Sequence, residues 1–146
     1  MAVTEWTLAI DGFEIDKASR DEQGWQIEVH PTGKRAACPC DGQISERIHS
    51  YYTRTLRDLP VAAACVTLVI HACRFECRND ACQRKVFCER LGGLGTGQFA
   101  KAHSRMSERL IAGICVTGFA LNGEGGARLA KPLGMRISGD TVIAVV

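Results

Sequence analysis

The sequence predicts an α+β chain, with a β-hairpin first, a small β-rich segment in the middle and a helical segment at the end. Three patterns support this order. Apolar and polar residues alternate in the first third, which is typical of half-buried strands. Paired cysteines interrupt the middle, and apolar residues recur every four positions near the end. We therefore predict units at residues 1–33, 34–91 and 99–146, with a linker over 92–98.

The first unit, residues 1–33, is predicted to be an acidic β-hairpin. It carries seven acidic and two basic side chains. Apolar residues alternate with polar ones along Trp25-Gln26-Ile27-Glu28-Val29, and a turn is expected at Asp21-Glu22-Gln23-Gly24. Pro31-Thr32-Gly33 is a second turn signal and marks the end of this unit.

Eight cysteines in a short chain would predict disulfides if the chain were secreted. The first residues lack the basic and apolar regions of a signal peptide, so the sequence predicts a cytoplasmic protein with reduced thiols. The longest apolar run, 61–72, is interrupted by His71 and is too short to span a bilayer. Metal ligation is then the favoured role for some of the cysteines.

Two short loops present the cysteines that could bind a metal. Structural zinc takes four thiolate or imidazole ligands in a tetrahedron, so we predict a Zn²⁺ site built from Cys38, Cys40, Cys77 and Cys82. A β-branched strand over 65–75 delivers the second pair. The first pair is separated by one residue instead of two to four, which leaves open whether Cys40 or another residue, with His49 in reserve, is the second ligand.

Other residues carry weaker signals. Cysteine without a partner loop behaves as a small hydrophobe, so core packing is predicted for Cys65, Cys73, Cys88 and Cys115. The four glycines of 92–97 are interpreted as a flexible linker, because no phosphate-binding Lys-Ser or Lys-Thr follows them. Paired carboxylates or an activated serine in a plausible setting are not found, so the chain itself is not predicted to be an enzyme.

The last unit is predicted to be a helix-turn-helix. A first helix should end at Asn122-Gly123, because both residues tolerate the left-handed conformation that closes helices. A shorter helix over 125–133 should end at Gly134, with Pro132 inside or ending it. Ser138 is placed to cap a third helix, which is short and without basic residues and is interpreted as truncated.

The middle of the chain is basic. Residues 34–109 carry thirteen basic and seven acidic side chains, the balance expected for a phosphate-backbone partner, although a solvated surface gives the same count. Guanidinium groups suit phosphate oxygens, and the helix-turn-helix is expected to set the register on DNA. The predicted DNA contacts are Arg47, Arg54, Arg57, Arg74, Arg78, Arg84, Lys85, Arg128, Arg136, Ser138 and Thr141.

Four runs of residues belong together: Cys38-Pro39-Cys40-Asp41-Gly42, the stretch over 45–60 from Ser45-Glu46-Arg47 to Asp58-Leu59-Pro60, the stretch over 74–82 with the second cysteine loop, and Val86-Phe87-Cys88-Glu89-Arg90. Together they resemble the zinc-ribbon region of the IS-L-three group of insertion-sequence transposases. The tail from Gly125 to Thr141 is similar to the helix-turn-helix that follows this ribbon. The family usually reads Cys-Pro-x-Cys-Gly at its first loop, so here the second cysteine arrives one residue early.

The resemblance implies a DNA-binding N-terminal portion of a transposase. In that family the front end binds the terminal inverted repeats, and a later RNase H-like domain, not found in this sequence, holds the catalytic carboxylates. The expected partner is double-stranded DNA, with no membrane or small-molecule substrate, in the bacterial cytoplasm and at the nucleoid when bound. Homodimerisation stays open. The alternatives are a truncated or decayed transposase product that is inhibitory or inactive, and a small zinc or redox protein.

Overall fold

The computed structural model describes residues 10–91 and 98–146, which form a mixed β-sheet, a small two-stranded sheet and two helices. The predicted linker, 92–98, lies outside the described part except for residue 98, so that prediction stays untested. The general α+β class is confirmed. The elements in chain order are β1 (Phe13–Asp21), β2 (Gly24–Pro31), β3 (Ala36–Ala37), β4 (Ile44–Ser45), β5 (Ile48–Val61), β6 (Ala64–Glu76), β7 (Val86–Cys88), α1 (Glu108–Ala130) and α2 (Gly139–Val145).

The main sheet has the strand order β1-β2-β6-β5, and β7 pairs with the far half of β6. β1 and β2 form the predicted antiparallel hairpin, with Asp21 opposite Gly24. β2 then runs parallel to β6, from Trp25 opposite Val66 to Val29 opposite Ile70. The hairpin is therefore joined edge to edge to the strand that leads into the second cysteine loop. The division of the chain at residue 33 stays a prediction.

Strand β6 lies at the centre of the sheet, between β2 and β5, and its apolar residues alternate with other residues. Val66, Leu68, Ile70 and Ala72 are all buried on one face, as the period of two in a strand requires. Each large side chain buried in this way stabilises the fold by about 1.5–3 kcal/mol relative to its exposed state. The cluster around them includes Phe13 and Phe99, whose rings meet edge to face at 5.1 Å.

The β5–β6 hairpin turns at two alanines with left-handed backbone. Ala62 has φ 51° and Ala63 has φ 60°, values that Asn and Gly adopt more readily than Ala. Gly134 packs against this turn with φ 88°, and a Cβ at that position would lie 2.5 Å from the carbonyl oxygen of Ala63. The turn and the loop between α1 and α2 are therefore in close contact, and only glycine fits at 134.

Helix α1 begins at the cap residue Ser107, whose side chain accepts a hydrogen bond from the backbone N–H of Leu110. Its backbone leaves helical geometry at Asn122 (φ 62°, ψ 179°), where the sequence predicted the first helix to end. The second arm ends at Ala130, before Pro132, so the predicted extension to 133 is wrong. Proline there would clash with the carbonyl four residues earlier.

Helix α2 begins after Ser138, whose side chain accepts a hydrogen bond from the N–H of Thr141, so the predicted cap is confirmed. The two helices pack closely because of a glycine. A Cβ on Gly118 would lie 2.6 Å from Cγ1 of Val142, closer than side chains tolerate. The assignment of this arrangement as a helix-turn-helix remains a prediction.

By length and composition alone, α1 is apolar enough to cross a membrane. Its contacts favour another role. The helix is broken at Asn122, and its buried residues Leu110 and Ile114 pack with Val142 of α2 and Leu59 of β5. These are the contacts of a helix that packs against a sheet and a second helix.

Candidate metal centre and basic surface

The first cysteine loop is a tight turn between β3 and β4. These strands pair Ala36 with Ser45, and the N–H of Cys38 donates to the carbonyl of Gln43 at 2.8 Å. The N–H of Gly42 then donates back to the carbonyl of Cys38, also at 2.8 Å. These bonds fix the backbone on both sides of the loop. They direct the buried side chain of Cys38 toward the second loop.

The second cysteine loop connects β6 to β7, as the sequence predicted for a strand that delivers ligands. The N–H of Cys77 donates to the carbonyl of Lys85 at 2.8 Å, which closes the base of the loop. The N–H of Cys82 donates to the carbonyl of Asn79 at 3.0 Å, which folds the loop back on itself. Cys77 is half-buried and Cys82 is buried, so the loop presents both thiols inward.

Four side chains meet between the two loops and could hold a metal ion. The Sγ atoms of Cys38, Cys77 and Cys82 and a carboxylate oxygen of Asp41 all lie within 4.8 Å of one another. Soft thiolates with one harder oxygen suit Zn²⁺. Below the cluster lies an apolar floor made by Phe75 and Phe87, whose rings stack at 6.0 Å. Such a floor excludes water from one side of the site.

The structure brings three of the four predicted ligands together and leaves Cys40 outside. Cys40 is exposed and is not one of the clustered residues. The fourth side chain of the cluster is Asp41, where the sequence predicted Cys40. The reserve ligand His49 is not in the cluster, and its Nδ1 lies 3.0 Å from Oγ of Ser50. Sequence reasoning missed Asp41 because a cysteine stood beside it, although two residues separate Asp41 from Cys38.

The cluster brings together groups that become negative when they lose a proton. Burial acts to raise the pKa of Cys38, but N–H groups of Cys40 and Asp41 outweigh it and lower that pKa. The N–H of Asn79 acts to lower the pKa of Cys77, but burial and the neighbouring thiols and carboxylate raise it to about 12. The pKa of Asp41 falls to about 2, chiefly because the N–H of Gln43 donates to it. A divalent cation would relieve the repulsion among these groups.

The other four cysteines were predicted to pack in the core. Cys65, Cys73 and Cys115 are half-buried, and the thiols of Cys65 and Cys115 donate to the carbonyls of Gly134 and Val145 at 2.9 and 3.3 Å. The prediction is wrong for Cys88, which is exposed on β7. Alternation along that short strand buries Phe87 and turns the residue after it outward.

Four of the predicted DNA-binding arginines are engaged within the protein. The guanidinium of Arg54 donates to the carbonyls of Lys101 and Ser104, the latter at 2.7 Å, and that of Arg57 donates to the carbonyl of Arg136 at 2.8 Å. Both therefore connect β5 to the helical segment. Arg47 pairs with Glu76 at 2.7 Å, and Arg74 lies 4.7 Å above the ring of Tyr52.

The remaining predicted contacts divide into two groups. Arg78, Arg84, Arg128 and Arg136 are exposed, and their guanidinium groups meet no acidic or carbonyl partner among residues 10–91 and 98–146. Lys85 is also exposed, with its Nζ 2.9 Å from the carbonyl of Asp80. Ser138 and Thr141 hydrogen-bond to each other at the start of α2, with their hydroxyl oxygens 3.0 Å apart. Their side chains are therefore used in capping.

Two cysteine loops on neighbouring β-strands, facing each other across a possible metal position, define the ribbon class of zinc-binding domains. Residues 34–90 match the family model described as the zinc-finger of transposase IS204/IS1001/IS1096/IS1165. This part of the chain therefore matches the zinc ribbon of the IS-L-three transposases, which confirms the resemblance for the ribbon. No match was found among curated proteins or solved structures.

Proposed function

We propose that this chain is the DNA-binding N-terminal portion of an insertion-sequence transposase, and that it binds the terminal inverted repeats of its element. The match of residues 34–90 to a transposase zinc-finger family carries this proposal. In it, Zn²⁺ fixes the two loops relative to each other. The helical segment acts as a helix-turn-helix beside the ribbon, and no residue of this chain is assigned to strand cleavage.

The exposed charges support a phosphate partner. Arg78, Arg84 and Lys85 all lie on the loop between β6 and β7, beside the metal cluster. Holding that loop rigid would pre-position their charges against a DNA backbone at little entropic cost. Arg128 and Arg136 are exposed on the helical segment, which meets the turn before β6 through Gly134 and Ala63, at the end of that strand opposite the metal cluster. The chain would work in the bacterial cytoplasm, bound at the nucleoid, without a membrane or small-molecule partner.

The attachment of the helical segment to the sheet also supports the proposal. The N–H of Arg57 donates to the carbonyl of Arg105 at 2.8 Å, and the N–H of Ser107 donates to the carbonyl of Arg57 at 3.0 Å. These backbone hydrogen bonds attach the segment just before α1 to strand β5. A ribbon and helices held in one arrangement can present their basic residues to DNA with a fixed spacing.

The test is fluorescence anisotropy of labelled duplexes carrying the terminal repeats of the parent element, against a scrambled duplex of the same length. The zinc-loaded chain is expected to prefer the repeat, and its affinity for both duplexes should fall linearly with salt on logarithmic axes. No binding to either duplex at low salt would refute the DNA-binding role. Such a result would favour an inactive transposase product or a small zinc protein instead.

A further inference from the structure

The fourth position of the metal cluster is filled by a carboxylate. We propose that the ribbon holds its metal with three thiolates and one carboxylate, from Cys38, Cys77, Cys82 and Asp41, and that Cys40 remains a free thiol outside the site. This inference rests on the zinc ribbon of the proposed function, and it specifies a donor set different from four thiolates.

Two of the six distances between the ligand atoms agree with one tetrahedral ion. Zn–S bonds of about 2.3 Å and a Zn–O bond of about 2.0–2.2 Å place two sulfurs about 3.8 Å apart, and a sulfur and an oxygen about 3.5 Å apart. The Sγ atoms of Cys38 and Cys82 are 3.9 Å apart. The Sγ of Cys77 lies 3.5 Å from Oδ2 of Asp41. These two distances therefore have the lengths that a bound ion requires.

The spacing of the first loop favours Asp41 over Cys40. Two residues separate Cys38 from Asp41, the usual minimum for a metal-binding loop, and one separates Cys38 from Cys40. The hydrogen bond from the N–H of Gly42 to the carbonyl of Cys38 closes the turn immediately after Asp41. The carboxylate is thereby directed into the cluster, and the Cys40 side chain is exposed.

Hydrogen bonds from both loops orient the carboxylate. The N–H of Gln43 donates to Oδ1 of Asp41 at 2.9 Å, and the side-chain amide of Asn79 donates to Oδ2 at 3.0 Å. Asn79 lies between Cys77 and Cys82, so the second loop positions the ligand supplied by the first. Such outer partners fix the orientation of metal ligands in proteins. Cys40 has no comparable support among the described residues.

Cobalt substitution of the full chain tests the donor set. The thiolate-to-cobalt charge-transfer absorption of the wild-type protein, Cys40→Ser and Asp41→Cys is compared at equal cobalt occupancy. The absorption should be the same for the wild type and Cys40→Ser, and in Asp41→Cys it should rise in proportion to the thiolates, from three to four. A lower absorption for Cys40→Ser, or an unchanged one for Asp41→Cys, would overturn the assignment.

Two further measurements do not depend on the added cysteine. Asp41→Asn should lower cobalt affinity more than about tenfold, because losing a direct ligand costs more than losing an outer partner. In the zinc-loaded wild type, iodoacetamide should alkylate Cys40 and leave Cys38, Cys77 and Cys82 protected until a chelator is added. Protection of Cys40 together with the other three would contradict the proposal.

These results separate the ligand assignment from the DNA-binding role, because no DNA is present. A cobalt spectrum with three thiolates in a chain that fails to bind repeats would keep the donor set and refute the function. If the cobalt absorption falls in Cys40→Ser while the chain binds repeats only with zinc, the function is kept and the donor set is refuted.

Discussion

The carboxylate of Asp58 on β5 is buried against the guanidinium of Arg109 in the first turn of α1. Nε of Arg109 donates to Oδ1 at 2.7 Å, Nη2 donates to Oδ2, and Oγ of Ser107 also donates to Oδ1 at 2.7 Å. Burial acts to raise the pKa of Asp58, but these hydrogen bonds outweigh it and lower that pKa. One carboxylate thus connects the central hairpin to the cap of the long helix.

Replacing Arg109 should loosen this connection. Arg109→Ala leaves a buried carboxylate without its cation, and we expect the free energy of unfolding to fall by about 2 kcal/mol, the scale for a lost charge-assisted hydrogen bond. Urea denaturation measures the change. Arg105→Ala, in the same segment and with an exposed side chain, is the matched control and should change stability little. Equal losses in both variants would show that the Asp58 contact contributes no specific stability.

The turn between β5 and β6 should become more stable with residues that adopt its left-handed backbone more readily than alanine. Asn at 62 and Gly at 63 adopt the left-handed conformation of Ala62 and Ala63 more readily. We expect the double variant Ala62→Asn/Ala63→Gly to be more stable by about 1 kcal/mol, since each alanine is strained there. Ala64→Gly, in β6, should instead be destabilising. A fall in the urea midpoint of the double variant would refute this account of the turn.

Exposed arginines and arginines bonded within the protein should have different effects on DNA affinity and on stability when they are replaced. Replacing both Arg78 and Arg84 by Ala should lower the salt slope of DNA affinity by about two and leave thermal stability unchanged. Arg57→Ala should lower thermal stability, because its guanidinium donates to the carbonyl of Arg136. Anisotropy across a salt series and a melting curve measure the two effects. A full salt slope in the double variant would show that these side chains do not contact phosphate.

The first hairpin should be more stable in mild acid. A hydrogen bond to Asp16, with further attraction to Glu14, raises the pKa of His30 above its ordinary value of 6.5. A raised folded-state pKa gives stability that is complete below the unfolded value and is lost as pH rises through the folded value. The effect should be small, because His30 is partly exposed. An NMR titration should show a lower His30 pKa in Asp16→Asn, and an unchanged pKa would contradict the contact.

The sequence predicts the local elements that depend on near neighbours. The alternation in β6, the cap at Ser138 and the break at Asn122 all follow from spacing and residue type over a few positions. Strand β5 was harder to predict, because Leu56 is its one fully buried apolar residue and its other positions mix Arg, Thr and Tyr. The parallel pairing of β2 with β6 joins distant segments and leaves no periodic signal.

The candidate site shows the same division. Cysteine spacing indicates the two loops, but it cannot distinguish Cys40 from Asp41, since that depends on which residue the turn exposes. The role of an arginine is equally hard to predict from sequence. Only the fold shows that Arg54 donates to backbone carbonyls and that Arg84 is exposed. The roles of polar residues are therefore decided by tertiary contacts.

The central claim is that zinc at Cys38, Cys77 and Cys82 makes this chain competent to bind DNA. The most direct test adds Zn²⁺ to the metal-free protein and follows the anisotropy of a labelled terminal repeat. Binding should appear with one equivalent of zinc, be lost on chelation, and fail in Cys82→Ser at the same zinc concentration. Equal binding by the metal-free protein, or none after zinc loading, would contradict the claim.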